Sequence, residues 1–169
     1  MDVDSLYQEI ILDHYRSPHG KGLREPYEAE VHHVNPTCGD EITMRVHLSG
    51  RTVEDISYDA EGCSISQASA SVLNDLLVGG TVEHGMTVLD EFQSLMQGRG
   101  HVEPDEEALE DAVAFAGVAK FPARVKCALL SWMAWKDATA KAVEADRPAG
   151  EVAGPDGAAS PVASTKEEA

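Results

Sequence analysis

The sequence predicts an α+β domain, a three-stranded antiparallel sheet with helices packed mainly on one face, followed by a disordered carboxy-terminal tail. Three observations predict it. Apolar residues recur at helical spacing up to residue 15, switch to period-2 alternation between 29 and 60, and return to helical spacing from 64 onward. Strands come together in one run and helices in another, the order of an α+β architecture. Composition then shifts at Ala145: the stretch from there to the end holds seven Ala, three Gly and three Pro, and no Leu, Ile, Phe, Tyr or Trp. Such a segment buries too little apolar surface to offset the entropy of ordering it. The expected division is therefore a folded domain over 1–144 and a tail over 145–169.

The elements follow in order. Leu6, Tyr7, Ile10, Ile11, His14 and Tyr15 share a helical face, with Asp4 or Ser5 as the cap and SPHG at 17–20 as the stop. AEVHHV at 29–34 reads as a first strand. EITMRVHL at 41–48 alternates Ile42, Met44, Val46 and Leu48, the signature of a half-buried second strand. SGR at 49–51 turns the chain into TVEDISYDA, where Ile56 and Tyr58 share a face. SISQASASVLNDLL puts Ile65, Ala68, Val72, Leu73 and Leu76 on one helical stripe, with Ser64 as the expected cap and Gly79 and Gly80 as the stop. A short helix is expected at 87–97, another from Asp105, and a long one from Pro122, whose missing N–H does no harm at a first helical position.

A chain of 169 residues suffices for one self-supporting core without disulfides. Thirteen basic against 30 acidic residues give a net charge of −17. Without the tail's two basic and five acidic residues the remainder still carries −14, so the acidity belongs to the domain. That charge repels phosphate backbones and argues against nucleic acid, and it favours a protein partner with a basic patch. No segment approaches the ~20 apolar residues of a membrane helix. The acidic start, MDVDSLYQEI, lacks the pattern of an export signal, so the expected location is the cytoplasm. An odd count of three cysteines in a reducing compartment points to metal or thiol chemistry.

All three cysteines are expected at ends of elements: Cys38 in a turn, Cys63 between the third strand and its helix, and Cys127 near the start of the last helix. At those helix starts the macrodipole favours thiolate and is expected to lower the pKa values of Cys63 and Cys127. Three thiolates with Asp40, two places beyond Cys38 in C-G-D, would make a four-ligand set suited to zinc. Cys63 and Cys127 also fit small packed residues, and none of the spacings matches a compact C-x-x-C pair. His14 is expected to pack beside Tyr15. His32 and His33 should point to opposite faces of their strand, and His47, His84 and His101 stand alone. Arg124 and Lys126 read as solvated or as cations near a thiolate, and Trp132 and Trp135 as core and rim.

Four segments, LYQEIILDHYRSPHG at 6–20, NPTCGDEI at 35–42, GCSISQAS at 62–69 and FPARVKCALLSW at 121–132, resemble in this order the U-type (IscU/NifU N-terminal-like) family of iron-sulfur cluster assembly proteins. The resemblance covers about residues 4 to 140 and implies a SufE/NifU-like α+β fold. Its scaffold branch carries histidine immediately before the third cysteine, where this chain has Lys126. Here 64 positions separate Cys63 from Cys127, a longer connection than in that branch, with the extra length expected around 80–104. Both departures resemble the SUF-system branch, SufU. That implies a zinc-dependent sulfurtransferase whose ligands are Cys38, Asp40, Cys63 and Cys127. Cys38 would accept persulfide sulfur from a SufS-type cysteine desulfurase, displaced from zinc by a partner histidine, and pass it to a downstream SUF scaffold complex. The alternatives are a scaffold on which an iron-sulfur cluster is assembled and transferred, and an interaction module with a purely structural zinc.

Overall fold

The computed structural model describes residues 2–145. Ala145 ends the last helix, and the remainder of the expected tail, 146–169, lies outside the described residues. The order is α1 (Val3–Arg16), β1 (Ala29–Asn35), β2 (Asp40–Ser49), β3 (Thr52–Glu61), α2 (Ser64–Leu77), α3 (Val82–Gln97), α4 (Glu106–Leu109), a 3₁₀ segment (Glu110–Lys120) and α5 (Pro122–Ala145). The three strands form an antiparallel sheet in the order β1-β2-β3, so the α+β expectation holds. Among the described residues no helix is long and apolar enough to cross a membrane.

The period-2 pattern sets the sheet's inner face. Ile42, Met44, Val46 and Leu48 of β2 are buried, as are Ile56, Tyr58 and Ala60 of β3. A register shift between His47 and Leu48 lets Val53 join the buried set although its spacing from Ile56 breaks the alternation. The same alternation, continued to the end of the sheet, turns Asn35 of β1 and Asp40 of β2 inward, and these two residues pair across the strands. Glu41 pairs with Glu61, which brings Gly62 beside Asp40.

The helices cover that face. α5 lies along β1 and β2 and packs on α2, which in turn packs on α1. Phe92 of α3 stacks on Trp132 of α5, with ring centroids 4.4 Å apart, and meets Phe115 edge-on. Trp135, expected at the rim, is fully buried with Trp132. Each such ring removes roughly 200 Å² from water and stabilises the core by several kcal/mol.

Helix starts differ from expectation in three places. Asp2, one residue before α1, accepts from the Ser5 backbone N–H at 2.8 Å and is the cap in place of Asp4 or Ser5. α2 is capped by Cys63 and not Ser64, with no side-chain cap bond, which leaves the Cys63 sulfur available. α3 begins at Val82, five residues before the expected start, with Thr81 accepting from the His84 N–H at 3.0 Å. Its first turn includes Gly85, where a Cβ would lie 2.5 Å from the Trp135 ring, so this glycine is there for close approach and not as a breaker. The helix expected from Asp105 is split: Asp105 caps it, but Glu110 adopts a φ of 46° and the chain continues as 3₁₀.

Candidate metal centre

Each predicted ligand reaches the centre from a different element. Cys38 sits on the four-residue connection between β1 and β2, Asp40 opens β2, Cys63 caps α2, and Cys127 lies in the second turn of α5. Their convergence is direct. The Cys38 thiol donates to Asp40 Oδ2 at 2.9 Å and its sulfur is 3.1 Å from Cys127 Sγ, while Cys63 Sγ is 3.6 Å from the same Asp40 oxygen. Ligand atoms of Cys38, Asp40 and Cys127 lie within 4.8 Å of one another, and Cys63 joins them through Asp40.

Asp40 is the hub. It is fully buried, and its second oxygen, Oδ1, accepts the Cys63 backbone N–H at 2.9 Å. Burial pushes its carboxyl upward, but hydrogen bonds from the Cys38 and Cys127 thiols and from the Cys63 backbone and thiol outweigh it and hold the group below its ordinary value. Gly62 makes this possible. Its φ of 145° is one that side-chain-bearing residues rarely adopt, and a Cβ there would sit 2.1 Å from Asp40 Oδ1.

Cys127 departs from the expected acidity. Burial is the main cause that pushes its thiol up, reinforced by hydrogen bonds with Cys38 and Asp40 and by the nearby Cys63. The helix-start field falls off within the first turn, and Cys127 is one turn further in, so desolvation and a neighbouring carboxylate win. A cation would reverse this balance, since it stabilises the thiolates that the buried carboxylate disfavours.

The donor set fits zinc. Three sulfurs and one carboxylate oxygen make a closed tetrahedral complement, in which Zn–S bonds of ~2.3 Å would space two sulfurs by ~3.8 Å. The turn bearing Cys38 is exposed, and an opening of ~0.7 Å from the 3.1 Å seen between Cys38 and Cys127 meets that spacing.

Two contributors were not singled out by the sequence. Asn35, almost fully buried, donates from Nδ2 to Cys38 Sγ at 3.1 Å and accepts the Thr37 N–H on Oδ1 at 3.2 Å, tying the turn to the strand that precedes it. Gly62 is the other. Asn35, the last residue of β1, and Gly62, the first beyond β3, continue the inward parity of their strands, and that is the signal available. Arg124 and Lys126 are exposed, the Arg124 guanidinium lying over the Phe121 ring at 5.3 Å. Val34 and Phe121 are also exposed large apolar side chains, each close in sequence to a site residue.

The histidines lie elsewhere. His32 bonds Thr43 and Glu41, whereas His33 bonds Asp137 of α5, so the adjacent pair does face opposite sides. His47 pairs with Glu28. His14 is not a partner of Tyr15; it is buried and bonded to Ser71 and Asp111.

Comparison with known proteins agrees with this architecture. The family described as NifU-like N terminal domain matches residues 6–128. The zinc-dependent sulfurtransferase SufU of Bacillus subtilis (strain 168) is 42% identical over 141 residues, covering 83% of this chain and 93% of that protein. An iron-sulfur cluster assembly scaffold protein IscU of Streptococcus pyogenes serotype M1 is 38% identical over 143 residues, covering 85% of this chain and 88% of its own. A crystal structure of a putative iron-sulfur cluster assembly scaffold protein for the SUF system from Fervidobacterium islandicum AW-1 superposes with a TM-score of 0.69 at 31% identity, over 81% of this chain and 98% of that one.

Proposed function

The chain belongs to the NifU-like N-terminal domain family, and from that premise we propose that it is a zinc-dependent sulfur relay of iron-sulfur cluster assembly. Cys38 accepts sulfur from a SufS-type cysteine desulfurase and passes it to a downstream SUF scaffold complex in the cytoplasm. The observation that carries this reading is the unequal anchoring of the thiols. Cys38 is exposed on a turn, whereas Cys127 is buried on the longest helix and Cys63 is fixed at a helix cap.

Cys38, Asp40, Cys63 and Cys127 are the residues that would hold zinc. Bound zinc keeps thiolates deprotonated at neutral pH and screens them from oxidation. The residues of the chain do the rest. Asn35 and Asp40 orient the Cys38 sulfur through bonds of 3.1 and 2.9 Å. Once freed, the Cys38 thiolate attacks the outer sulfur of the donor's persulfide. A new S–S bond forms at Cys38, the donor's S–S bond breaks, and the donor cysteine leaves as thiolate with the bonding electrons. No net oxidation is needed. The domain's strong negative charge suits a donor surface bearing basic residues. Lys126 supports the relay over the scaffold reading, because the scaffold branch carries histidine there.

The test combines metal analysis of the purified full chain with desulfurase assays. The expected result is about one zinc in the cysteine centre, no visible chromophore, and stimulation of a cysteine desulfurase that is lost in Cys38→Ala. Efficient formation of a cluster on anaerobic reconstitution, and its transfer to an apo-protein, would replace this reading with the scaffold one. Stimulation that persists in a destabilised Cys38→Ala would leave zinc with a structural role only.

A further inference from the structure

A second group of potential ligands lies away from the cysteines, at the junction of α1, the loop after it, and α2. One ligand atom each from His14, His19 and Asp75 falls within 4.8 Å of the others. His19 Nδ1 is 2.8 Å from both Asp75 carboxylate oxygens. The two imidazoles meet edge-on with centroids 5.0 Å apart. Ser71 fixes them relative to each other, since its hydroxyl bonds both His14 Nδ1 at 2.7 Å and the His19 backbone N–H at 2.8 Å. These shared bonds place His14 Nδ1 on the side that faces His19.

The remaining nitrogen, Nε2 of His14, bonds Asp111 Oδ2 at 3.0 Å. A carboxylate on the far nitrogen of an imidazole fixes its tautomer and raises its basicity toward a cation, the arrangement found behind metal-bound histidines. Access is open: His14, His19 and Asp111 line a cleft of about 390 Å³, where Asp13 and Asp111 outnumber Arg16. The group shares no residue with the cysteine centre, and Ser71 lies eight residues along α2 from Cys63, or ~12 Å at 1.5 Å per residue.

We infer that His14, His19 and Asp75 form a second divalent-cation site, of nitrogen and oxygen character and suited to zinc, with Asp111 as the carboxylate that orients His14. Two imidazoles and a carboxylate are the donors of open zinc sites, which leave a further position to water. His14 is held in place by burial and would exchange the Ser71 hydroxyl at Nδ1 for the ion, while His19 and Asp75 close on it from exposed positions. The ion would reinforce the tie between the loop after α1 and α2, which the His19–Asp75 pair, the His19 N–H bond to Ser71 and the Lys21–Gln67 bond make now.

The full chain is dialysed against buffered zinc, and bound zinc is counted in wild type, His19→Ala and Asp75→Asn. Both substituted side chains are about half exposed, so the fold is retained, as circular dichroism would verify. Each variant is expected to hold about one zinc fewer per chain than wild type, a difference that is independent of how much zinc the cysteine centre carries. Cobalt in place of zinc should show thiolate charge-transfer bands unchanged in both variants, with loss only of the absorbance from a sulfur-free site. In wild type, the imidazole signals of His14 and His19 should shift as zinc is added. Equal zinc content in all three proteins, or imidazole signals indifferent to zinc, would overturn the site and leave the cluster as a hydrogen-bonded joint.

Discussion

Replacing Gly62 with alanine separates the two things this glycine does. The new Cβ would lie 2.1 Å from Asp40 Oδ1, 2.7 Å from its Cγ and 3.0 Å from the Asp40 Cα, which belongs to the backbone and cannot swing away. Ordinary contact begins near 3.4 Å, so the carboxylate must retreat by 3.4 − 2.1 = 1.3 Å. A retreat of that size breaks the 2.9 Å bond from the Cys63 N–H. Loss of a hydrogen bond to a charged group costs ~1.5–3 kcal/mol, and alanine at a φ of 145° adds ~1–3 kcal/mol of strain. The metal-free protein should lose about 2.5–6 kcal/mol in urea unfolding. Zinc held against a competing chelator should bind ~10–100-fold more weakly, as when a group that orients a ligand is lost. Gly39→Ala is the control: its φ of 76° imposes strain, but a Cβ there meets nothing within 4 Å, so it should cost only ~1–2 kcal/mol. If Gly62→Ala proves no worse than Gly39→Ala, and zinc affinity changes less than about threefold, the placement of Gly62 against Asp40 is wrong.

Two further outcomes follow from single contacts. Asn35→Ala removes the amide that reaches Cys38 and the acceptor for the Thr37 N–H; chelator competition should show zinc affinity reduced ~10-fold, and retention within twofold would remove Asn35 from the site. Asp137 is held below its ordinary value of 3.8 by the hydrogen bond from His33, with Lys141 adding to it. A carboxyl depressed in the folded state stabilises above its unfolded value and loses that contribution as pH falls through the folded one. The difference in urea midpoint between wild type and Asp137→Asn should therefore hold above about pH 4 and shrink below it; a difference that persists to about pH 2 would contradict the pairing of β1 with α5 through His33.

What the sequence discloses here depends on how local each cause is. The strands are legible because Ile42, Met44, Val46 and Leu48 alternate without interruption, and the last helix because Pro122 opens an unbroken apolar pattern. The first turn of α3 is hidden, since TVEHG reads as polar loop ending in a glycine, and only the Trp135 ring explains why a glycine is there. The split of the 105–120 region turns on one backbone angle at Glu110. At the centre, the residue types C-G-D and G-C declare donors, but convergence across the 64 positions from Cys63 to Cys127 comes only from packing α5 on the sheet. The elevated pKa of Cys127 follows from burial, which a helix-end rule does not register.

The proposal of Cys38 as acceptor also rests on the cost of moving each donor. Asp40 is paired within the sheet and fully buried, and Cys127 stands between the core residues Ala128 and Leu130 and the start of α5. Displacing either would unpack the face of the sheet or the helix that covers it, with core disruptions of this kind costing ~2–5 kcal/mol or more. Cys63 is exposed, but its backbone is fixed at the N-cap of α2 and bonded to Asp40, so its sulfur can move only by side-chain rotation and not with a mobile turn. Cys38 is held by the Asn35 amide, by its own thiol contacts and by a turn whose Gly39 N–H bonds Asn35 at 2.9 Å. Its release needs only those side-chain bonds to open, ~1 kcal/mol each in net terms, with the turn and the core intact. In the proposed relay, a transfer that exposes one thiolate at a time would proceed at the turn while the other three donors keep their geometry.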